Sequence, residues 1–207
     1  MSDESKLEQS ENYQMKCGVT LGILAAIMAV NSIGGGRWGA EEIKGSNEKG
    51  TAYAWYQAKS IKESIIEGHR DSVLAQLKGN QAQGVYKNEL EKDLSKLNNT
   101  LNRYDKEKKE IMLGSNGVGK ENWVIEQNGA LGNVTGVEDW QRKVKTYEEV
   151  GDIFDMSAMF LQLSLVLGSI SLLLNRQSVR NGFYNGMIVL GVIGTYYLAQ
   201  AFSMVGW

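Results

Sequence analysis

Apolar and charged positions are segregated along this chain. No Asp, Glu, Lys or Arg falls in 17–33, 156–175 or 181–207, and these three stretches are also the apolar ones. A helix needs roughly 17–25 apolar residues, at about 1.5 Å each, to cross the hydrocarbon of a bilayer. The pattern predicts transmembrane helices over 17–36, 156–175 and 183–207, the first lengthened by Gly34 to Gly36. Buried helices of a soluble domain are the alternative, but three uncharged runs in one short chain argue against it. The first run follows an acidic tail over 1–16 and lacks a clean small-x-small cleavage site, which reads as an uncleaved signal anchor.

Between the first two runs the periodicity becomes helical and one-sided. Ala54, Ala58, Ile61, Ile65, Val73 and Leu77 recur at three-four spacing. Tyr86, Leu90, Leu94, Leu97, Leu101, Tyr104 and Ile111 do so more strongly. The stretch 78–84 has turn composition. An antiparallel, coiled-coil-like hairpin over 37–113 is expected, about 55 Å outbound and about 45 Å back. Its rival is one continuous helix; Gly79 and Gly84 favour the hairpin, since a glycine costs about 1 kcal/mol inside a helix. Six glycines make 114–136 a loop. Residues 137–155 then read as an amphipathic helix, with Asp139 near its start and Trp140 placed for an interface, leading into the second span.

Composition changes this picture only by subtraction. A mean hydropathy of −0.29 is an average over uncharged spans and a charge-dense middle. The absence of proline suits long helices, where an interior Pro costs about 3 kcal/mol. A net charge of −2 carries no nucleic-acid footprint. The short loop 176–182 holds Arg176 and Arg180 and no acid, so the positive-inside rule puts it in the cytoplasm. The N-terminus is then cytoplasmic and residues 37–155 periplasmic; Arg37, just past the first span, runs against this.

Candidate chemistry is sparse. Gly114 to Lys120 has phosphate-loop spacing, but Glu121 stands where the magnesium-binding hydroxyl belongs, and helix rather than strand precedes it. His69, the only histidine, continues the Ile65–Val73 row and reads as a packing residue. No metal, cofactor or catalytic residue is expected, and the chain does not read as an enzyme. Close-packing positions are more conspicuous. Gly18, Gly22 and Ala26 recur every four residues, as do Gly182 and Gly186, while Ser164, Gly168 and Ser171 line part of the second span. Asn31, Gln162, Asn185 and Gln200 are the polar residues expected to face protein. In the head, Trp55, Lys59 and Lys62 share one helix side, next to Tyr56, and Ala54, Ala58, Ile61 and Ile65 another. Two stripes suggest two partners: the return helix, and either the membrane-proximal loop or another subunit. One thick hairpin core is the alternative.

The run Trp55-Tyr-Gln-Ala-Lys-Ser-Ile-Lys62, a first span ending Ser32-Ile-Gly-Gly-Gly36, and Leu161-Gln-Leu-Ser-Leu-Val-Leu-Gly-Ser-Ile170 together resemble the family of bacterial membrane proteins grouped as domain of unknown function 4337. The resemblance covers most of the chain in the same order. It implies one N-terminal span, a helical middle, two closing spans and a bacterial membrane, and it brings no activity. The expectation is a non-catalytic structural or interaction protein of the bacterial inner membrane. Its partners would be the lipid bilayer and further copies of itself (a homo-oligomer) or other membrane-protein subunits. The alternative is an accessory subunit of a transport or channel assembly, with Gln162, Asn185 and Gln200 along a polar seam.

Overall fold

The computed structural model describes residues 3–79 and 83–205, with side chains from residue 11 onward. Residues 80–82 of the expected turn at 78–84 and the last two positions of the third span lie outside the described residues. The fold is all-α apart from one two-stranded ribbon. Helix α1 runs Asp3–Lys78, α2 Val85–Leu113, α3 Ser115–Val118, α4 Val137–Leu173 and α5 Gln177–Val205. Strands β1 (Glu126–Gln127) and β2 (Ala130–Leu131) pair antiparallel. Three helical stretches, Glu11–Lys78, Val137–Leu173 and Gln177–Val205, are long and apolar enough to cross a membrane.

The chain divides into two compact units, Met1–Glu42 with Lys145–Trp207, and Ile43–Val144. In the first, the buried positions of α4 advance in alternating steps of four and three: Val150, Phe154, Ser157, Leu161, Ser164, Gly168, Ser171. On α5 they are Met187, Gly191, Gly194, Leu198 and Ala201, and on α1 Cys17, Leu24 and Asn31 recur every seven. This is the coiled-coil period, which keeps one seam of each helix on its neighbours. The 176–182 loop is shorter than expected. Helix α5 starts at Gln177, and Arg180 lies in its first turn with its guanidinium 3.9 Å from the centre of the Tyr13 ring.

In the second unit, α2 buries the stripe its sequence displays, with Leu90, Leu97 and Ile111 inside. Val73 joins Leu90 and Leu97, flanked by Ile66, Leu77 and Leu94. Polar contacts between α1 and α2 link Lys59 to Glu107, Glu63 to Lys108 and Gln76 to Tyr86. The end of α1 at Gln76 thus meets the start of α2 at Tyr86, and the earlier Lys59 and Glu63 meet its later part. One expectation for α1 is corrected here. Ala54, Ala58, Ile61, Ile65 and His69 are exposed. Val73 and Leu77 of the expected stripe do face α2, but before them the side turned to α2 carries Tyr56, Lys59, Glu63 and Ile66, with Glu107 and Lys108 of α2 as partners of Lys59 and Glu63.

The segment 114–136 is more ordered than a loop. It carries α3, a 3-10 turn at Lys120–Asn122 and the ribbon. Asn128 and Gly129 both have positive φ, 55° and 79°, between β1 and β2. That is the two-residue turn whose twist suits a hairpin, and Asn-Gly is its strongest sequence signal. At the start of α4, Asp139 accepts a hydrogen bond from the Gly136 N–H at 3.2 Å, as its position suggested.

Candidate functional surfaces

Three constellations stand out from packing alone. The first is the box around Trp55. Trp55 and Tyr56 lie on a cluster of Ile111, Ile125 and Val134, with Val124 at its edge. The box is thus built against both the return helix and the glycine-rich segment. Lys59 reaches Glu107 at 2.5 Å, and Arg103 reaches the same carboxylate at 3.4 Å. The Lys59 ammonium also sits 5.4 Å from the centre of the Tyr104 ring. Lys108 pairs with Glu63, which holds the Lys108 ammonium above its ordinary pKa, against a smaller opposing effect of burial. Lys62 is exposed and takes no place in this network.

The second is a buried carboxylate. Glu110, on the last turn of α2, is fully buried. It accepts hydrogen bonds from Ser115 Oγ at 2.7 Å, Val124 N at 2.9 Å and Ile125 N at 3.0 Å. Ser115 Oγ in turn accepts from Val134 N at 2.9 Å, and the Trp123 indole donates to the Ser115 carbonyl at 2.6 Å. One side chain therefore fastens both arms of the segment to the helix end. The phosphate-loop spacing falls inside this arrangement: Gly114 ends α2 and Lys120 opens the 3-10 turn. Sequence reasoning missed Glu110, since it lies in a run of lysines and glutamates that looks solvated.

The third is a ladder of hydroxyls in the first unit. Ser157 donates to the Gly194 carbonyl at 2.9 Å, Ser164 to Met187 at 2.9 Å and Ser171 to Arg180 at 3.1 Å. All three serines are buried. They lie seven apart on α4, and their partners lie seven apart on α5, so the ladder is two helices in constant register. Gly168, Gly191 and Gly194 leave no room for a side chain at the same seam. Asn31, also buried, donates through Nδ2 to the Phe154 carbonyl at 3.2 Å, while its Oδ1 is buried without a partner. The sevenfold spacing of the serines was the available signal.

The other packing candidates divide. Ser164, Gly168 and Gly186 face neighbours within the unit, the last meeting Leu167. Gly18, Gly22 and Gly182 do not, since a Cβ built on each meets nothing within 4 Å. Ala26 is exposed with them. Gln162, Asn185 and Gln200, expected to face protein, are exposed within the chain because each sits one step off the buried seam. The ladder's register puts Gln200 about three helical turns from the level of Gln162, so they do not form one seam within the chain.

The family model described as Domain of unknown function (DUF4337) matches residues 13–204 of the chain. No curated protein matches it, and no solved structure does.

Proposed function

We propose that the chain, which belongs to the DUF4337 family, is a non-catalytic structural protein of a bacterial inner membrane that self-associates or joins a larger membrane complex. One observation carries this reading. The first unit buries polar side chains among its apolar ones and turns many further apolar side chains outward. Its interior holds Ser157, Ser164, Ser171 and Asn31, while Val19, Ile23, Ile33, Leu163, Val166, Val189 and Val192 are exposed on its three helices. In water this distribution is unfavourable, whereas in lipid it is the expected one. Lipid tails are as apolar as leucine, so helices associate there through shape and interhelical hydrogen bonds.

In this reading α1, α4 and α5 each cross the bilayer once. The stretch 37–113 forms the extramembrane hairpin, which the opposed contacts of α1 and α2 support. The N-terminus lies in the cytoplasm and residues 37–155 in the periplasm, following the basic residues between the last two spans. Self-association is supported by what the first unit leaves outward. Gly18, Gly22 and Ala26 offer a second close-approach surface, and the Gln162 amide is most stable against protein rather than lipid. The charges of the second unit pair with each other on α1 and α2, which fits a rigid head better than a reactive one.

Extraction at native expression in mild detergent tests the proposal. The chain is expected to migrate well above its 22.9 kDa monomer mass, alone or with constant partners. A lone monomer at working concentration would overturn it. An enzymatic role would be revived if His69→Ala abolished a phenotype while leaving folding intact.

A further inference from the structure

Helix α1 has a second face in the second unit, and α2 does not use it. From Asn47 to Ala75, steps of four and three visit only uncharged residues, and every one is exposed. Its centre is Ala54, Ala58, Ile61, Ile65, Gly68 and Ser72, with Ile61 and Ile65 exposed by 62% and 65%. Charges are plentiful on the rest of this stretch, including Lys49, Lys59, Lys62, Glu63, Glu67, Arg70 and Asp71, yet none interrupts the row. A four-three row of aliphatic and small residues is the seam of a coiled coil. Gly68 has open space where a side chain would stand. Two isoleucines side by side in water, on an otherwise charged helix, are an unfilled contact rather than a scattered exposure.

We infer that this row is the contact between two copies of the chain, their α1 helices parallel and in register. Charge permits a second copy and decides its direction. In a parallel, in-register pair, each flanking residue meets the one five positions on in the other helix. Gln57 then meets Lys62 of the second copy, Ser64 meets His69 and Asp71 meets Gln76. No like charges oppose. An antiparallel pair centred on the isoleucines sets Lys62 against Lys62. Asn47, the amide at one end of the row, is the kind of polar seam residue that fixes register. Copies inserted in one membrane in the same sense present the row in the same sense. The assignment rests on the self-associating reading above and names its surface.

Single cysteines in the full-length chain, in membranes and on a Cys17→Ser background, test it. Ala54→Cys, Ile61→Cys, Ile65→Cys and Gly68→Cys sample the row, and Glu67→Cys samples a neighbouring face. Under mild oxidation, same-position disulfide dimers are expected several-fold more abundant at the four row positions than at 67. Because bridged Cα atoms must lie within about 7 Å, the pattern reports the facing side directly. If row cysteines stay unlinked while the mild-detergent extract remains multimeric, this face is overturned and self-association stands. If the extract is monomeric, both fall. Cross-links formed only between positions 54 and 72 in a double-cysteine chain overturn the parallel direction.

Discussion

The two units solve the same problem, holding long helices together, with different polar chemistry. Within the unit Ile43–Val144, the residues Val73, Leu90 and Leu97 form one buried cluster and Ile111, Ile125 and Val134 another, and the buried polar groups are Glu107, Glu110 and Ser115. Charges ring it in pairs, as in any domain whose association is driven by water. In the other unit hydroxyls and an amide lie inside among Leu24, Phe154, Leu161 and Leu198, aimed at backbone carbonyls, and many further aliphatic residues are exposed. In the proposed membrane setting, shape and hydrogen bonding rather than hydrophobicity alone would sort inside from outside. Serine is suited to this task, being small enough for close approach and able to donate one hydrogen bond. Each unit should therefore break differently.

The largest expected effect is at Glu110. Replacing it by Ala leaves the Val124 and Ile125 N–H groups buried without acceptors and frees Ser115. A lost hydrogen bond to a charged group is worth about 1.5–3 kcal/mol. We expect Glu110→Ala to lower the stability of the second unit by about 3 kcal/mol or more. Hydrogen exchange should show 114–136 opening while the amides of α4 beyond Val150 and of α5 keep their protection. Uniform loss in both units would refute the local account. Glu110→Gln keeps one acceptor and should fall between.

The next is overpacking. A Cβ at Gly34 comes within 2.5 Å of the Phe154 ring. Gly34→Leu should destabilise the first unit by about 1–3 kcal/mol. Gly18→Leu, on the open side of the same helix, should leave a monomer unaffected. Thermal aggregation of the purified chain in detergent would separate the two variants. These glycines also show what was legible beforehand. Both belong to runs of small residues, and a spacing of four recurs on more than one side of a helix. Gly18, Gly22 and Ala26 therefore looked as inward as the true seam of Cys17, Leu24 and Asn31. The uncharged runs were readable, because missing charges act locally, whereas Gly34, Gly35 and Gly36 did not end a helix, since α1 runs unbroken from Asp3 to Lys78. The stripe of α2 was readable too, since one hydrophobic face had one partner. Helix α1 misled because its most apolar row, Ile61 and Ile65, is not the row α2 takes. Only the complementary charges of Glu107 and Lys108 show why, and pairing across 40 or more residues leaves no periodic trace. Glu110 was hidden because it lies among lysines and glutamates that look solvated, whereas the Asn128-Gly129 turn and the sevenfold serines were present as signals.

A smaller effect belongs to the ladder. Ser164→Ala removes one interhelical hydrogen bond, to the Met187 carbonyl. Such bonds average about 0.6 kcal/mol in a membrane, with a maximum of about 1.7. The single variant should shift unfolding in mixed micelles by that order. Removing all three hydroxyls should cost about 2 kcal/mol if they act independently. A triple variant as stable as the parent would mean that the glycine seam, not the ladder, holds α4 to α5.

The smallest expected effect is one of pH, and it sets the head apart from the spans. Lys108 on α2 pairs with Glu63 on α1, both largely shielded from solvent. Glu63 raises the lysine's affinity for its proton above the ordinary value of 10.5, more than burial lowers it. A group whose folded pKa is raised contributes stability in full below its unfolded value and loses that contribution as pH rises through the folded one. The link between α1 and α2 should thus be constant at neutral pH and weaken only above about pH 10.5, with no comparable step on the acid side from this lysine. Lys108→Met keeps the stem and removes the charge, so its stability should be flat across the same alkaline range. If parent and variant instead lose stability together, the alkaline transition belongs to other groups and the Glu63–Lys108 pair is only a surface contact. The ladder serines do not titrate, so amide protection in α4 and α5 should not follow this step.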